Sequence, residues 1–470
     1  MLKRRQSIWG GTASMILGAL PFDASASGTT GTWSGVLEIG ALRLRLKLVI
    51  EDNGSATLFS IDQGGAPIAG HLTSSSDDKI EAEFATIHAR YVGRVVMPNR
   101  MEGTFHQGGS FQLVFERGEA ALGPLPAIKP LDQARLSELR RQADAPAMAA
   151  AAASKGGAPK FWVDGERQLG SGIAARETDI WHLGSITKSM TATLVARLVE
   201  DGALRWDDTV GELLGSVAPD MNEAYRGATF RHLLSHRAGL QANIPIPELL
   251  KFPQQTDDAR DDRKAYARLA LAQVPKGPME TTFEYSNSGY VLAGAMIEAR
   301  LGSRWEDLIR SKLFEPLGLA SAGFGAPGHP GAIDQPVGHA RPVPGKALKA
   351  FPPGSPITDN PPVLGPAGRV HMTLADVLRY LAAHRDESSL LSSASWRILH
   401  TPPFGGQYAM GWIVRKVGGL WHNGSNTLWY AEVLVDPKAE TVAAAATNDG
   451  ELARVTPPVD RALFEAAAAV

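Results

Sequence analysis

With 470 residues, 44% of them hydrophobic, the chain has room for two or three domains and enough apolar side chains for substantial cores, which excludes a disordered protein. A formal net charge of −2 gives bulk electrostatics no hold on nucleic acid or an anionic membrane surface. The absence of cysteine excludes disulfides, thiolate nucleophiles, cysteine-based zinc sites and a lipid-modified N-terminal cysteine.

In chain order the first expected element is an export signal over residues 1–26. Lys3, Arg4 and Arg5 form a basic start, residues 8–20 are moderately apolar, and Ala24-Ser25-Ala26 fits a small-residue cleavage site. The stretch is too short and too rich in glycine to span a bilayer. The Arg4-Arg5 pair permits twin-arginine export, although Ser7 stands where such signals usually carry a bulky apolar residue. A periplasmic location follows from this reading. No later segment is long and apolar enough to cross a membrane.

Residues 28–120 read as a small antiparallel β domain, a barrel or a sandwich. "LRLRLKLVI" (Leu42 to Ile50) alternates strictly before a turn at Asp52-Asn53-Gly54. "IEAEF", "YVGRVV" and "FQLVFE" are further strand-like runs between clusters of Gly and Asn. No catalytic grouping is visible in this domain. It suits a structural spacer, or a binding module for envelope polymer or a partner.

Residues 121–130, "ALGPLPAIKP", are a Pro-rich linker, and 131–470 form a second expected domain. "DQARLSELRRQAD" is an amphipathic helix. "AMAAAAASKG" (Ala147 to Gly156) is ambiguous: its propensity favours helix, but its place before "PKFWVDGERQLGSG" suits the first strand of a sheet. No periodic self-similarity marks a repeat array.

"GSITKSM" (Gly184 to Met190) follows an extended stretch. The apolar residues Ile186, Met190, Leu194, Val195, Leu198 and Val199 then keep helical spacing until Asp201-Gly202. Ser185 therefore stands at a helix N-terminus, in the positive end of the dipole, with Lys188 one turn below on the same face. Burial there lowers a lysine pKa and lets the amine accept a proton. An N-cap serine is the competing explanation. Ser76-Asp77-Asp78-Lys79 has the same spacing, but it lies in a polar loop and leads no helix.

Two later groups decide between these readings. Tyr285-Ser286-Asn287 precedes another helical stretch, and His422-Asn423-Gly424 opens a run that alternates like a strand. Each alone is weak. In this order, Ser-x-x-Lys, Tyr-x-Asn and His-x-Gly resemble the serine β-lactamase and penicillin-binding-protein superfamily. The resemblance is greatest to the branch of class C β-lactamases, D-aminopeptidases and carboxylesterases. "TFRHLLSHRAGL", "YSNSGYVLAG", "LFEPLGL" and "PAGRVHMTLADVLRYL" look like landmarks of that family, in family order. The resemblance spans residues 131–465 and leaves the N-terminal β domain outside.

The resemblance implies an α+β fold: an antiparallel sheet flanked by helices, a helical subdomain, and the Ser185 helix between them. It makes "AMAAAAASKG" a strand against its propensity. It implies acyl transfer, with Ser185 as nucleophile and Lys188 and Tyr285 sharing its proton. The backbone N–H groups of Ser185 and Ser425 would receive the oxyanion, and Gly424 would let the edge strand come close to substrate. Asn287 would bind the substrate amide or Lys188. His422 would stand near a substrate carboxylate or Tyr285, where many β-lactamases carry lysine. A histidine partly charged near neutral pH favours an esterase or D-peptidase over a dedicated β-lactamase.

The expected substrate is a small molecule or peptide with an ester or amide carbonyl, and no cofactor or metal is expected. An α/β-hydrolase would need a Gly-x-Ser-x-Gly elbow, which no serine here supplies. His232 and His236 have zinc-helix spacing, but Leu233 stands where a metalloprotease carries glutamate, so a bracing role is expected instead. The rival from another class is a penicillin- or peptidoglycan-binding protein that acylates without turnover. Residues 241–280 are expected to form a lid over the cleft.

Overall fold

Strict alternation along Leu42–Ile50 demands a strand with one apolar face. In the computed structural model Leu44, Leu46, Leu48 and Ile50 are buried while Arg45 and Lys47 keep contact with solvent. The structure describes residues 29–470 except 40–41, 62–66, 76–78, 88, 108, 120–127, 343–345, 356 and 416–417. The expected export signal, Ser76 of the second Ser-x-x-Lys match and residues 121–127 of the expected linker lie outside the described residues. The chain divides into two compact units, one ending at Ala127 and one running from Ile128 to Val470.

The first unit is a closed eight-stranded barrel. Its strands are β1 (Gly31–Ile39), β2 (Leu42–Ile50), β3 (Ser55–Ser60), β4 (Pro67–Ser75), β5 (Lys79–Phe84), β6 (Ala89–Met97), β7 (Arg100–His106) and β8 (Ser110–Arg117). Each pairs antiparallel with the next, and β1 closes on β8 from Trp33 opposite Arg117 to Gly35 opposite Phe115. Closure leaves no free sheet edge, which settles barrel against sandwich. Trp33, Phe84, Tyr91, Met101, Phe105 and Phe115 fill the interior.

The second unit is built on a six-stranded antiparallel sheet. Its strands in chain order are β9 (Ala147–Ser154), β10 (Lys160–Gly165), β11 (Ile180–His182), β12 (Gly323–Phe324), β13 (Gly338–Ala340), β14 (Lys349–Phe351), β15 (Val370–Thr373), β16 (Ile413–Val414), β17 (Leu420–Ser425), β18 (Tyr430–Asp436) and β19 (Thr441–Thr447). The main sheet runs β10-β9-β19-β18-β17-β16. A smaller sheet runs β11-β15-β12, and β13 pairs with β14.

The alanine run is strand, inside the main sheet between β10 and β19. Ala149 to Ala152 pair with Ala446 to Ala443 of β19, so two alanine tracts lie side by side. Ala149 and Ala151 face the core that holds the Ser185 helix. Met148, Ala150 and Ala152 face the helices Gln133–Gln142 and Leu452–Ala467. A strand covered by helices on both faces shows no alternation, and small side chains let both layers come close. Tertiary packing overrides the helical propensity of alanine here.

The helix Thr187–Glu200 is buried on every side along its first two turns. It packs against the helices Asn287–Leu301, Trp305–Ile309, Gly365–Gly368 and Ser393–His400, and the turn before it lies against β17. The nucleophile candidate therefore stands where the edge of the main sheet meets the helical layer.

Candidate active site

Ser185 lies in a single 3₁₀ turn, Gly184–Ile186, between β11 and the helix Thr187–Glu200. No side chain caps this helix start. That removes the competing explanation, because the Ser185 hydroxyl is not spent on a backbone N–H. It faces Lys188 and Tyr285 instead.

Lys188 is fully buried. Its Nζ lies 3.0 Å from Ser185 Oγ, 2.7 Å from Asn287 Oδ1 and 2.7 Å from the Ala367 carbonyl oxygen. Burial pushes its pKa well below the ordinary lysine value. Two of its three neighbours are pure acceptors and take two N–H bonds. Only Ser185 Oγ carries a proton it can give. A neutral amine held this way keeps its lone pair for the serine hydroxyl.

Tyr285 and Asn287 straddle a helix cap, which fixes both. Ser286 Oγ accepts the Gly289 N–H at 3.1 Å and starts the helix Asn287–Leu301. Asn287 Oδ1 faces Lys188, and its Nδ2 donates to Asn243 Oδ1 at 2.9 Å. The Asn287 backbone N–H donates to the Ala242 carbonyl, so the segment expected as a lid touches the site where it begins. Burial raises the Tyr285 pKa above the ordinary phenol value, and its hydrogen bond to Ser185 only partly offsets this. The Lys188 amine sits 4.9 Å from the Tyr285 ring centroid. Tyr285 thus rests as the phenol and Lys188 is the better base.

His422, Gly424 and Ser425 come from the part of β17 that runs beyond its pairing with the short edge strand β16. A Cβ on Gly424 would land on the Leu183 carbonyl oxygen and the Ser185 nitrogen, so only glycine lets β17 lie against the serine turn. Gly184 has φ +49°, and a Cβ there would strike the Ser425 nitrogen. The two backbones meet without side chains between them, with the nitrogens of Ser185 and Ser425 at the contact. The Ser425 hydroxyl is turned away, donating to the Trp429 carbonyl at 2.7 Å.

One expectation is corrected. His422 is not a partly charged group: it is fully buried, and desolvation by that burial pushes its pKa down to about 3. Its Nδ1 faces its neighbour's carbonyl, Asn423 O, at 2.6 Å, and its Nε2 lies 3.0 Å from the Tyr408 hydroxyl. The imidazole is neutral, with the proton on Nδ1 and Nε2 accepting from Tyr408. Its ring centroid is 6.4 Å from that of Tyr285.

His232 and His236 diverge. His232 Nδ1 lies 3.1 Å from the Thr229 N, at the start of its helix, and its ring stacks on Phe404. His236, at φ +61°, accepts the Ser286 N–H on Nδ1 at 3.0 Å and packs 4.3 Å from the Tyr285 ring. It braces the Tyr285 loop. Among the described residues no three His, Asp or Glu side chains gather as a metal site.

Sequence reasoning missed Tyr408, Asn243, the Ala367 carbonyl and the direct support of Tyr285 by His236. Ala367 lies in a landmark segment, but a backbone acceptor has no side-chain signature. His182 and Asn426, buried behind the serine turn, and Asp359, half-buried beside them with its side chain 8% exposed, also gave no signal.

A family model for β-lactamase matches residues 133–468. Penicillin-binding protein 4 of Amycolatopsis lactamdurans is 29% identical over 340 residues, covering 68% of this chain and 84% of that protein. Two solved structures are similar in fold. The D-amino acid amidase from Ochrobactrum anthropi SV3 has a TM-score of 0.57 at 22% identity, covering 71% of this chain and 96% of that one. EstCE1, a hydrolase with promiscuous acyltransferase activity, has a TM-score of 0.58 at 18% identity, covering 70% and 98%.

Proposed function

The chain belongs to the β-lactamase family, and from that premise we propose a serine hydrolase that works through an acyl-enzyme on uncharged esters or amides. The observation that carries this is the buried Lys188 amine: of its three hydrogen-bond partners among the described residues, Ser185 Oγ alone has a proton to give it. Lys188 takes the hydroxyl proton as Oγ attacks the carbonyl carbon. The oxyanion forms against the N–H groups of Ser185 and Ser425. The proton then passes from Lys188, through the Tyr285 hydroxyl, to the leaving alkoxide or amine. Water enters, loses a proton along the same route, and releases the acid with Ser185 restored.

The preference for uncharged substrates rests on His422. A fixed cation at that position would hold a substrate carboxylate, and a neutral imidazole sealed by Tyr408 does not. An esterase or D-amino-acid amidase fits this better than a dedicated β-lactamase. The fold shared with the D-amino acid amidase and with EstCE1 agrees with that choice. A panel of short-chain p-nitrophenyl esters, nitrocefin and D-Ala-D-Ala peptides tests it. Ester hydrolysis is expected to exceed nitrocefin hydrolysis by about tenfold or more, as one misplaced charge interaction suffices for that ratio. Nitrocefin turnover equal to ester turnover would sink the ranking.

The similarity to a penicillin-binding protein favours a second reading, a protein that acylates slowly without release. A fluorescent penicillin separates the two. Label that persists while esters go unhydrolysed supports the second, and label that clears as product appears supports the first.

A further inference from the structure

Behind the serine turn lies a buried polar cluster that the mechanism above does not use. His182 ends β11, is fully buried, and accepts the Gly184 N–H on Nδ1 at 3.1 Å. An imidazole that accepts on Nδ1 carries its proton on Nε2, and this atom sits 3.0 Å from Asp359 Oδ1, in electrostatic contact without the alignment of a hydrogen bond. The same oxygen accepts from Asn426 Nδ2 at 2.9 Å, and Oδ2 faces Arg369 Nε at 3.1 Å. Asn426 in turn accepts the N–H groups of Leu428 and Trp429, each at 3.2 Å, and so shapes the turn from β17 to β18. The Trp429 ring stacks on His182 with centroids 5.7 Å apart. Burial alone would raise the Asp359 carboxyl, but His182, Arg369 and Asn426 outweigh it and hold it down to about 2.

The cluster grips both backbones that meet at the site. One arm, through His182, reaches Gly184, next to Ser185. The other, through Asn426, holds the residue next to Ser425. Between those backbones stand only Gly184 and Gly424, which have no side chains to set the distance. We propose that Asp359 is a positioning residue for acyl transfer: its carboxylate clamps the serine turn to the β17–β18 turn and sets the separation of the Ser185 and Ser425 N–H groups. This rests on the reading that those two groups receive the oxyanion. A hole a few tenths of an ångström too wide binds the ground-state carbonyl almost as well and the tetrahedral intermediate worse, so the loss falls on kcat.

Asp359→Asn keeps the shape but removes the negative charge around which His182 Nε2, Asn426 Nδ2 and Arg369 Nε are gathered. The assay measures kcat and KM with p-nitrophenyl butyrate, the inhibition constant of phenylboronic acid, and the active fraction by fluorophosphonate burst. Phenylboronic acid becomes tetrahedral on Ser185 and reports the hole without turnover. We expect kcat to fall about 100-fold, the size of one lost oxyanion donor, with KM within about threefold and boronate affinity falling alongside kcat. His182→Asn can still accept the Gly184 N–H in a local Asx turn but cannot reach Asp359, so it is expected to fall between the parent and His182→Leu. Unchanged kcat and boronate affinity in Asp359→Asn overturn the proposal. So does a loss explained entirely by a smaller active fraction of normal boronate affinity. If Asp359→Asn does not fold, parental kcat and boronate affinity in His182→Asn, which loses only the reach to Asp359, overturn it. Full hydrolysis by Ser185→Ala, which leaves the clamp intact, would instead remove the reading beneath it.

Discussion

Replacing Lys188 with methionine is expected to slow ester hydrolysis by about 10³-fold, within the 10²- to 10⁴-fold span of general base catalysis, while the protein stays folded. Methionine matches the length and volume of the lysine stem and removes only the amine. Asn287 Oδ1 and the Ala367 carbonyl each lose one N–H, which opposes stability. Against that, the variant no longer buries an amine. A lysine whose folded pKa lies below its unfolded value binds fewer protons folded than unfolded, so its presence costs stability at every pH below the unfolded pKa and the cost fades as pH rises. The thermal midpoint of Lys188→Met relative to the parent should therefore be most favourable at low pH. For the parent, kcat/KM should rise with pH as Lys188 loses its proton and level off well before the ordinary lysine range near 10.5. His422 contributes no step between pH 5 and 8, because its pKa is pushed to about 3. A rise that continues to pH 10, or a Lys188→Met variant with parental rate, would show that another group takes the proton.

Gly424→Ala is expected to cost about 10²- to 10³-fold in kcat/KM and about 1–3 kcal/mol in stability. The added methyl meets backbone on two sides, the Leu183 carbonyl oxygen and the Ser185 nitrogen, and neither can swing aside as a side chain can. Either β17 backs away or the serine turn does, and in both cases the two N–H groups separate. Gly227→Ala is the control. A Cβ there meets only the end of Met279, at 3.8 Å, and activity should be unchanged. Steady-state kinetics with thermal unfolding of both variants checks the pair. Parental kinetics in Gly424→Ala would mean that the contact between β17 and the serine turn is not where the intermediate is held.

The parts of the site written as side chains at short spacing were legible in the sequence. Ser185 and Lys188 sit one turn apart on one helix, so their meeting follows from helical geometry alone. Tyr285 and Asn287 flank a serine that caps, a pattern equally local. The antiparallel β domain was legible for the same kind of reason, since β2 states its two faces residue by residue, but its closure into a barrel was not. The alanine strand β9 was legible only through the family resemblance, because its burial on both faces erases alternation and its propensity points to helix. The charge of His422 depends first on burial, which no motif states, and Tyr408, which closes off its Nε2, comes from the strand's surroundings and not from the motif. Asp359 stands far from His182 and Asn426 in the chain, in the segment that leads toward β15, the partner of β11, and meets them only in the folded protein. Neighbours brought together by sheet pairing carry no mark in a single sequence.

The most direct measurement is the site of covalent labelling. The protein is reacted with a fluorophosphonate until ester hydrolysis stops, digested, and mapped by mass spectrometry beside Ser185→Ala. The account predicts one label per chain, on Ser185, gained in step with the loss of activity. It also predicts an unlabelled Ser185→Ala variant that retains no more than about 10⁻⁴ of the parental rate. Label on another residue in step with inactivation, or parental hydrolysis by Ser185→Ala, would contradict it.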